Sequence, residues 1–504
     1  MSSRYYSRPH GPGARALTAL AAAALFGGCA TAPAPSQQQA QPGQAPDRSA
    51  RPPVGAALDL LLPAIEQFEL SNGMRVVMME KRDLPLVQLN LVIGAGSVFD
   101  PANRGGLASL TAAMIDEGAA GMTSLEIADA FEMIGARFGI GAGTHTASMS
   151  LRAPAQRLDD ALRLAARVML GPEFPAHELD RLRTERLTSL VRRFDEPNAI
   201  MSELLDQTLF GTTHPYGRGG FGDEASLRAI SVDDLRQFHQ RQYRPNNTTA
   251  IVVGDIDVAS ARRQLEAAFG GWERGAPADV QVAQAQQVSG RVVHIVDKPG
   301  SAQSIVSLGR IGVPRSTQDY YALEVMNTIL GGSFTSRLNQ NLREDKGYSY
   351  GARSSFSYLP AAGPWSASSA VQTQSTGPAL GEFMKELRGM HQPIPEEEVD
   401  RARNFLAMSY PSGFQSVAGI AARLGDMVMY NLPPDFFNGF VINVLAVTRQ
   451  DVERVARQYI DPDNVAIFIV GDRQVIEQQV REQNLGEIRF LSVTDVLGPV
   501  PTLD

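Results

Sequence analysis

Cysteine is almost missing from this 504-residue chain; Cys29 is the only one, which excludes an internal disulfide. Histidine is sparse as well. His10, His145, His177, His214, His239, His294 and His391 all lie far apart in sequence, so no neighbouring pair offers two ring nitrogens to one metal ion. Only tertiary convergence of distant residues could supply such a site. Basic charge is not in excess: 46 Lys and Arg stand against 54 Asp and Glu, giving a net charge of -8. That balance argues against a nucleic-acid partner, whose phosphates require clustered Lys and Arg. No apolar run reaches the roughly 20 residues needed to cross a bilayer as a helix.

The longest apolar run lies at the start. Arg4, Arg8 and Arg15 precede "ALTALAAAALFGG", and this order of charge followed by a short apolar core marks residues 1–28 as an export signal. The run ends at Cys29. "LFGGC" resembles a bacterial lipobox, which implies that Cys29 is lipidated, becomes the mature N-terminus and tethers the chain to a membrane. Cleavage after Ala30, Thr31 and Ala32 is the alternative. Ala30 resembles the residue that permits sorting to the outer membrane, so the expected location is the outer membrane, facing the periplasm. Residues 29–55 are rich in Pro, Gln, Ala and Ser without apolar periodicity and read as a flexible tether.

The remaining chain is 20% charged and 43% hydrophobic in overall composition, enough to bury more than one core. A low-complexity stretch, "ERGAPADVQVAQAQQVSG", interrupts it at 273–290 and divides a first domain, 56–275, from a second, 291–504, with 276–290 as linker. The two sides are alike. "ISVDDLRQFHQRQYRPNNTTAIVVGDID" and "VTRQDVERVARQYIDPDNVAIFIVGDRQ" share an amphipathic helix, a tyrosine, a Pro-Asn or Asp-Pro-Asp-Asn turn, and an apolar strand ending at Gly254-Asp255 or Gly471-Asp472. A repeat of domain length indicates two copies of one fold. Each copy opens with two alternating strands joined by a short turn, expected to pair, followed by a long helix expected at about 105–138 and 319–343. The fold class is therefore α+β: two homologous domains, each a mainly antiparallel β-sheet layered with α-helices.

The order of the segments "GGLASL", "SLEIADAFEMIGARFG", "HPYG", "YRPNN", "VVGD" and "LGGSFTSRLNQNLREDKGYSYG" resembles the pitrilysin and insulinase family of zinc peptidases, which includes the mitochondrial processing peptidases. The likeness runs over about residues 60–490. Active members carry H-x-x-E-H on the helix after the first strand pair: two histidines hold zinc and the glutamate acts on its water. Laid on "GLASLTAAM", the three positions fall on Ser109, Ala112 and Ala113, and all three groups are missing. The family's third ligand, a glutamate on a later helix, falls on Ser189, with Glu185 one helical turn away. The resemblance thus implies no metal and no catalytic residue in this chain. The helix is better explained as scaffold, with Leu107, Leu110, Met114 and Ile115 as its apolar stripe. His214 of "HPYG" reads as a loop-packing residue. "LGGSFTSR" lacks the G-K-[ST] ending of a phosphate loop.

The second half keeps what the first has lost. In the family an arginine and a tyrosine grip the substrate backbone and stabilise the oxyanion, and they match Arg343 and Tyr350 of "LREDKGYSY"; Tyr348 competes for the second position. An Arg343–Glu344 pair and a tyrosine on a sheet are the structural alternative. The combination resembles the non-catalytic subunit of two-chain relatives, in which zinc comes from the other subunit. It implies a homologous H-x-x-E-H subunit and peptide substrates as partners. A peptide-binding or envelope-organising lipoprotein is the alternative function.

Overall fold

The computed structural model describes Gly55 and residues 62–503, so the export signal and Cys29 lie outside the described residues. Its first half contains the strands β1 (Ile65–Glu69), β2 (Arg75–Glu80), β3 (Leu86–Ile93), β4 (Arg137–Ala142), β5 (Ala147–Pro154) and β6 (Thr248–Gly254). They form one sheet in the order β1-β2-β6-β3-β5-β4, antiparallel except where β2 meets β6. The second half contains β7 (Val292–Asp297), β8 (Gln303–Ile311), β9 (Ser349–Phe356), β10 (Pro364–Gln372), β11 (Ala466–Gly471) and β12 (Glu487–Leu491), in the order β9-β10-β8-β11-β7-β12. Five strands of each sheet share one topology. The sixth differs: β1 lies antiparallel to β2, whereas β12 lies parallel to β7.

The opening strands of each half do not pair with each other, contrary to the sequence expectation. β6 lies between β2 and β3, and β11 lies between β7 and β8. The cause is burial. Every residue of β6 and of β11 is buried, so their backbone groups need partners on both edges, and the opening strands supply them. The link Lys81–Pro85 has only to span about 10 Å, two strand spacings.

The long helices are also shorter than the sequence suggests. The first breaks into α1 (Leu107–Met114), a two-residue hairpin of Gly118–Ala119 with Met122–Thr123, and α2 (Ser124–Ile134). Thr123 and Glu126 form a reciprocal cap that starts α2 afresh. In the second half, a helix over Tyr320–Asn327 widens into a π-turn at Thr328–Gly332 and resumes at Arg337. A Cβ on Gly331 would stand 2.3 Å from the Ser354 amide, so glycine lets β9 lie against this turn.

Each sheet packs one face on helices of its own half. In the first, α1, α2 and α3 (Leu158–Leu170) cover Met78, Leu89, Leu91 and Met149. The opposite faces are covered by exchange. α4 (Ala176–Arg193) is followed by α5 (Pro197–Phe210), whose Ile200, Leu204 and Leu205 bury against Phe468 and Val470 of the second sheet. In return α6 (Val417–Met429) sets Ile420 and Leu424 on Val77, Met79, Ile251 and Val253 of the first sheet. Residues 273–289 carry no helix or strand, and Val280, Val282, Ala285 and Val288 pack beside α5.

Reciprocal cover couples the halves. Leu424→Ala removes fully buried methyls from the first sheet's cover and should cost about 2–5 kcal/mol. The two tryptophans report the halves separately: Trp272 belongs to the first core and Trp365 to the second. With Trp365→Phe or Trp272→Phe as background, Leu424→Ala should lower the denaturation midpoint seen by both tryptophans alike. A shift seen by Trp272 alone would mean that the halves unfold independently.

Candidate functional site

α1 begins at a crowded corner. Gly106, at a left-handed φ of +88°, precedes it, and a Cβ there would stand 2.6 Å from the Phe221 carbonyl oxygen. With no capping side chain on Gly106, Asp100 does that work: its carboxylate accepts the N–H of Gly106 at 2.8 Å and of Ala108 at 2.7 Å. Burial pushes the Asp100 carboxyl up to about 7, against the pull of these amides and of Arg218. The sequence-expected stripe faces the core, with Leu107, Leu110, Met114 and Ile115 all buried. Ala112 has no exposed surface, so the place of the family's glutamate is packed solid.

Ser109 holds the place of the first histidine and meets a cation. Arg186 of α4 donates from Nη1 to Ser109 Oγ at 2.8 Å, and the hydroxyl has the carbonyls of Gly220 and Gly106 at 3.0 and 3.1 Å. The guanidinium lies 5.4 Å from the Phe221 ring. Burial lowers the Arg186 pKa while the Asp100 charge opposes that shift. The two residues weighed as third ligand turn elsewhere. Ser189 donates to the Glu185 carbonyl of its own helix at 2.9 Å, and Glu185 accepts from Arg181 at 2.7 Å. Arg186 escaped the sequence reading because the family pattern asks for an acid at this turn. Its adjacency to Glu185 gives no signal until α4 is seen packed on α1.

These residues do not fit a zinc ion. A hydroxyl bound to a guanidinium and two alanine methyls supply no ligand set, and the fixed positive charge repels a divalent cation. Among the described residues no three of His, Cys, Asp or Glu gather into a metal-holding group. Several histidines are bonded elsewhere: His145 to the Tyr216 hydroxyl, His239 to the Met169 carbonyl and His391 to the Ile460 carbonyl. His214 bonds the Ala283 carbonyl at 2.9 Å and stacks on Phe210, as expected of a loop-packing residue.

In the second half, Arg343 lies in the helical turn Gln340–Asp345, and Tyr350 lies on β9 at the sheet edge. Tyr350 is 88% exposed, whereas Tyr348 packs against the second core. Arg343 does pair with Glu344, at 3.2 Å, and its guanidinium also sits 4.7 Å from the exposed Phe334 ring. The structure thus gathers Ser109, Arg186 and Gly220 at one place and Arg343 and Phe334 at another. Among the described residues no hydrogen bond joins Arg343 or Tyr350 to α1.

Known proteins share this fold. Residues 75–217 match the family described as Insulinase (Peptidase family M16), and residues 229–406 match the Peptidase M16 inactive domain. A crystal structure of a peptidase M16 inactive domain from Pseudomonas fluorescens is 30% identical, with a TM-score of 0.76 over 81% of this chain and 97% of that one. The crystal structure of a protease from Helicobacter pylori, 18% identical, has the same fold, with a TM-score of 0.74 over 81% of this chain and 100% of that one. In sequence, the chain is 21% identical over 427 residues to a Helicobacter pylori (strain ATCC 700392 / 26695) protein described as the non-peptidase homolog YmxG, covering 84% of this chain and 97% of the other. It is 24% identical over 408 residues to a Bacillus subtilis (strain 168) protein described as the uncharacterized zinc protease YmxG, covering 80% and 98%.

The purified protein, dialysed against a weak chelator, should contain far less than one zinc per chain and leave unfolded peptides intact. One tightly held zinc per chain would contradict the geometry at Ser109 and Arg186. With α1 stripped of all three H-x-x-E-H groups and the two-sheet fold otherwise intact, this chain belongs to the M16 insulinase family of peptidases as a catalytically incomplete member.

Proposed function

We propose that this chain is the non-catalytic, substrate-binding partner of a homologous H-x-x-E-H zinc endopeptidase in the periplasm. The observation that carries the reading is the contrast between the halves. The metal helix is filled by methyls and a cation, while Tyr350 stands exposed on the edge of the second sheet and Arg343, paired only with the adjacent Glu344, lies in the turn beside it. Guanidinium and phenol groups suit a carbonyl oxygen that gains charge during peptide cleavage. The partner subunit supplies the zinc; this chain binds and orients the peptide.

The edge position of β9 supports a mode of binding. β9 has a strand neighbour on one side only, and an extended peptide adds to such an edge through backbone N–H and C=O groups; the Ala352 N–H and Ser354 C=O are already held by the Asn339 and Asn327 side chains, so the peptide pairs with the groups these leave open. Main-chain hydrogen bonds then give affinity with little demand on sequence. The relative described as a non-peptidase homolog favours a second reading, in which the same edge holds peptides with no peptidase partner at all. A neighbouring reading frame with the same fold and an intact motif distinguishes the two.

In the assembled two-chain complex, Arg343→Ala or Tyr350→Phe should lower kcat and kcat/KM together, by about 100-fold to 1000-fold if either group faces the reacting oxygen. Tyr348→Phe is the control and should change little. A rise in KM alone assigns the pair to substrate holding, and normal turnover in both assembled variants refutes the donor role.

Lipidation at Cys29 fixes the location proposed, the outer membrane facing the periplasm. Cys29→Ser should move the protein from the membrane fraction to the soluble fraction or leave its signal uncleaved, because stable anchoring rests on more than one acyl chain. Unchanged membrane partitioning of the variant would rule out the anchor.

A further inference from the structure

A second feature lies apart from α1 and from Arg343 and carries its own chemistry. After β8 the chain turns at Pro314, and Arg315 points into a nest of aromatic rings. Its guanidinium carbon is 3.6 Å from the centroid of Tyr320, 4.9 Å from that of Phe436 and 5.9 Å from those of Tyr358 and Tyr430. Arg315 is only 8% exposed. Even so, among the described residues its guanidinium has no hydrogen-bonded acceptor and no carboxylate within 4.0 Å. A buried cation without an acceptor is unfavourable, and cation–π contacts offset only part of that cost.

The guanidinium lines a cavity of about 250 Å³ walled by Tyr320, Tyr410, Phe436 and Phe440. Arg423 and Asp426 of α6 also line it, both about half exposed, and mark its open side. The Tyr410 hydroxyl is buried with no partner, its ring stacked on Phe440 at 3.9 Å. Two guanidinium groups thus meet one lining carboxylate. Burial holds Asp426 above the usual carboxylate range, and it does the same to Glu324, on the helix of Tyr320. The Arg315 charge opposes both shifts, yet neither acid makes a hydrogen bond or an ion pair with its guanidinium. The cavity thus has donors without hydrogen-bonded acceptors at its base, Arg315 and the Tyr410 hydroxyl, and an apolar wall around them.

We propose that this cavity binds a carboxylate carried on a small apolar group, with Arg315 as the residue that pairs with it. A carboxylate accepts two parallel N–H bonds from a guanidinium, which is the partner that Arg315 lacks. The Tyr410 hydroxyl is a further donor to the same group. The rings of Phe436 and Phe440 take the apolar part. The volume lies below the roughly 300–1,000 Å³ of sites for drug-sized ligands, so the occupant is a single residue or fragment. Two sources share this chemistry: the C-terminal residue of a peptide and a free carboxylic acid.

Isothermal titration of the tethered-form protein lacking only its signal tests the proposal, using 3-phenylpropionate and its neutral amide as probes. The acid should bind and the amide should bind at least tenfold more weakly. Arg315→Gln should weaken the acid at least tenfold and leave the amide unchanged. Since Arg315 also stacks on Tyr320, Arg423→Gln and Tyr410→Phe provide variants that leave this stack in place; each should weaken the acid severalfold. A peptide ending in a free phenylalanine, set against its C-terminal amide, identifies the source: acid-selective peptide binding points to a peptide terminus, and binding of 3-phenylpropionate alone to a free acid. Equal binding of acid and amide, no binding of either, or an unchanged affinity in folded Arg315→Gln would overturn the proposal. None of these outcomes depends on a peptidase partner.

Discussion

A strand buried on both faces needs cover from two sides, and each half of this protein covers only one face of its own sheet. The other face is closed by a helix lent from the opposite half: α5 on the second sheet, α6 on the first. Both loans rest on ordinary apolar burial, Leu204 and Leu205 against Phe468 and Val470, Ile420 and Leu424 against Ile251 and Val253. Neither half has a complete core alone. The rest of the molecule follows from this exchange, because α4 and α6, which carry Arg186 and Arg423, are fixed by the helices and sheets they adjoin.

Within that frame the metal helix has been turned into structure. Asp100 caps it, Gly106 lets the Phe221 segment close over its start, and Ala112 disappears into the core. Arg186 then brings a positive charge to the side chain at the first ligand position. A site for a dication and a site for a guanidinium demand opposite electrostatics, so the change extends beyond the loss of three side chains. The groups that still offer donors outward are in the second half, on an edge strand and the turn beside it.

The second half also holds Arg315, a largely buried cation without a hydrogen-bonded acceptor among the described residues. Arg315 and its aromatic neighbours lie where α6 leaves its own half, so the cavity that they line is built from the same exchanged helix that closes the first sheet. Its proposed role as a carboxylate site and the proposed role of Arg343 and Tyr350 rest on separate residues and separate contacts.

Much was legible in the sequence. The duplication, the α+β class, the missing ligands at Ser109, Ala112 and Ala113, and the scaffold stripe on α1 all rest on residue identity and local periodicity, which need no tertiary partner. Two local patterns misled: β2 and β3 alternate as a hairpin would, and the small-residue run from 105 to 138 has the composition of one helix. The structure decides otherwise because β6 needs hydrogen-bond partners on both edges, and because the Thr123–Glu126 cap begins a second helix. The meeting of Arg186 with Ser109 and the ring of aromatics around Arg315 were beyond the sequence's reach. Both join residues distant along the chain, and only packing, which lays α4 on α1 and α6 beside Tyr320, brings their charges to bear.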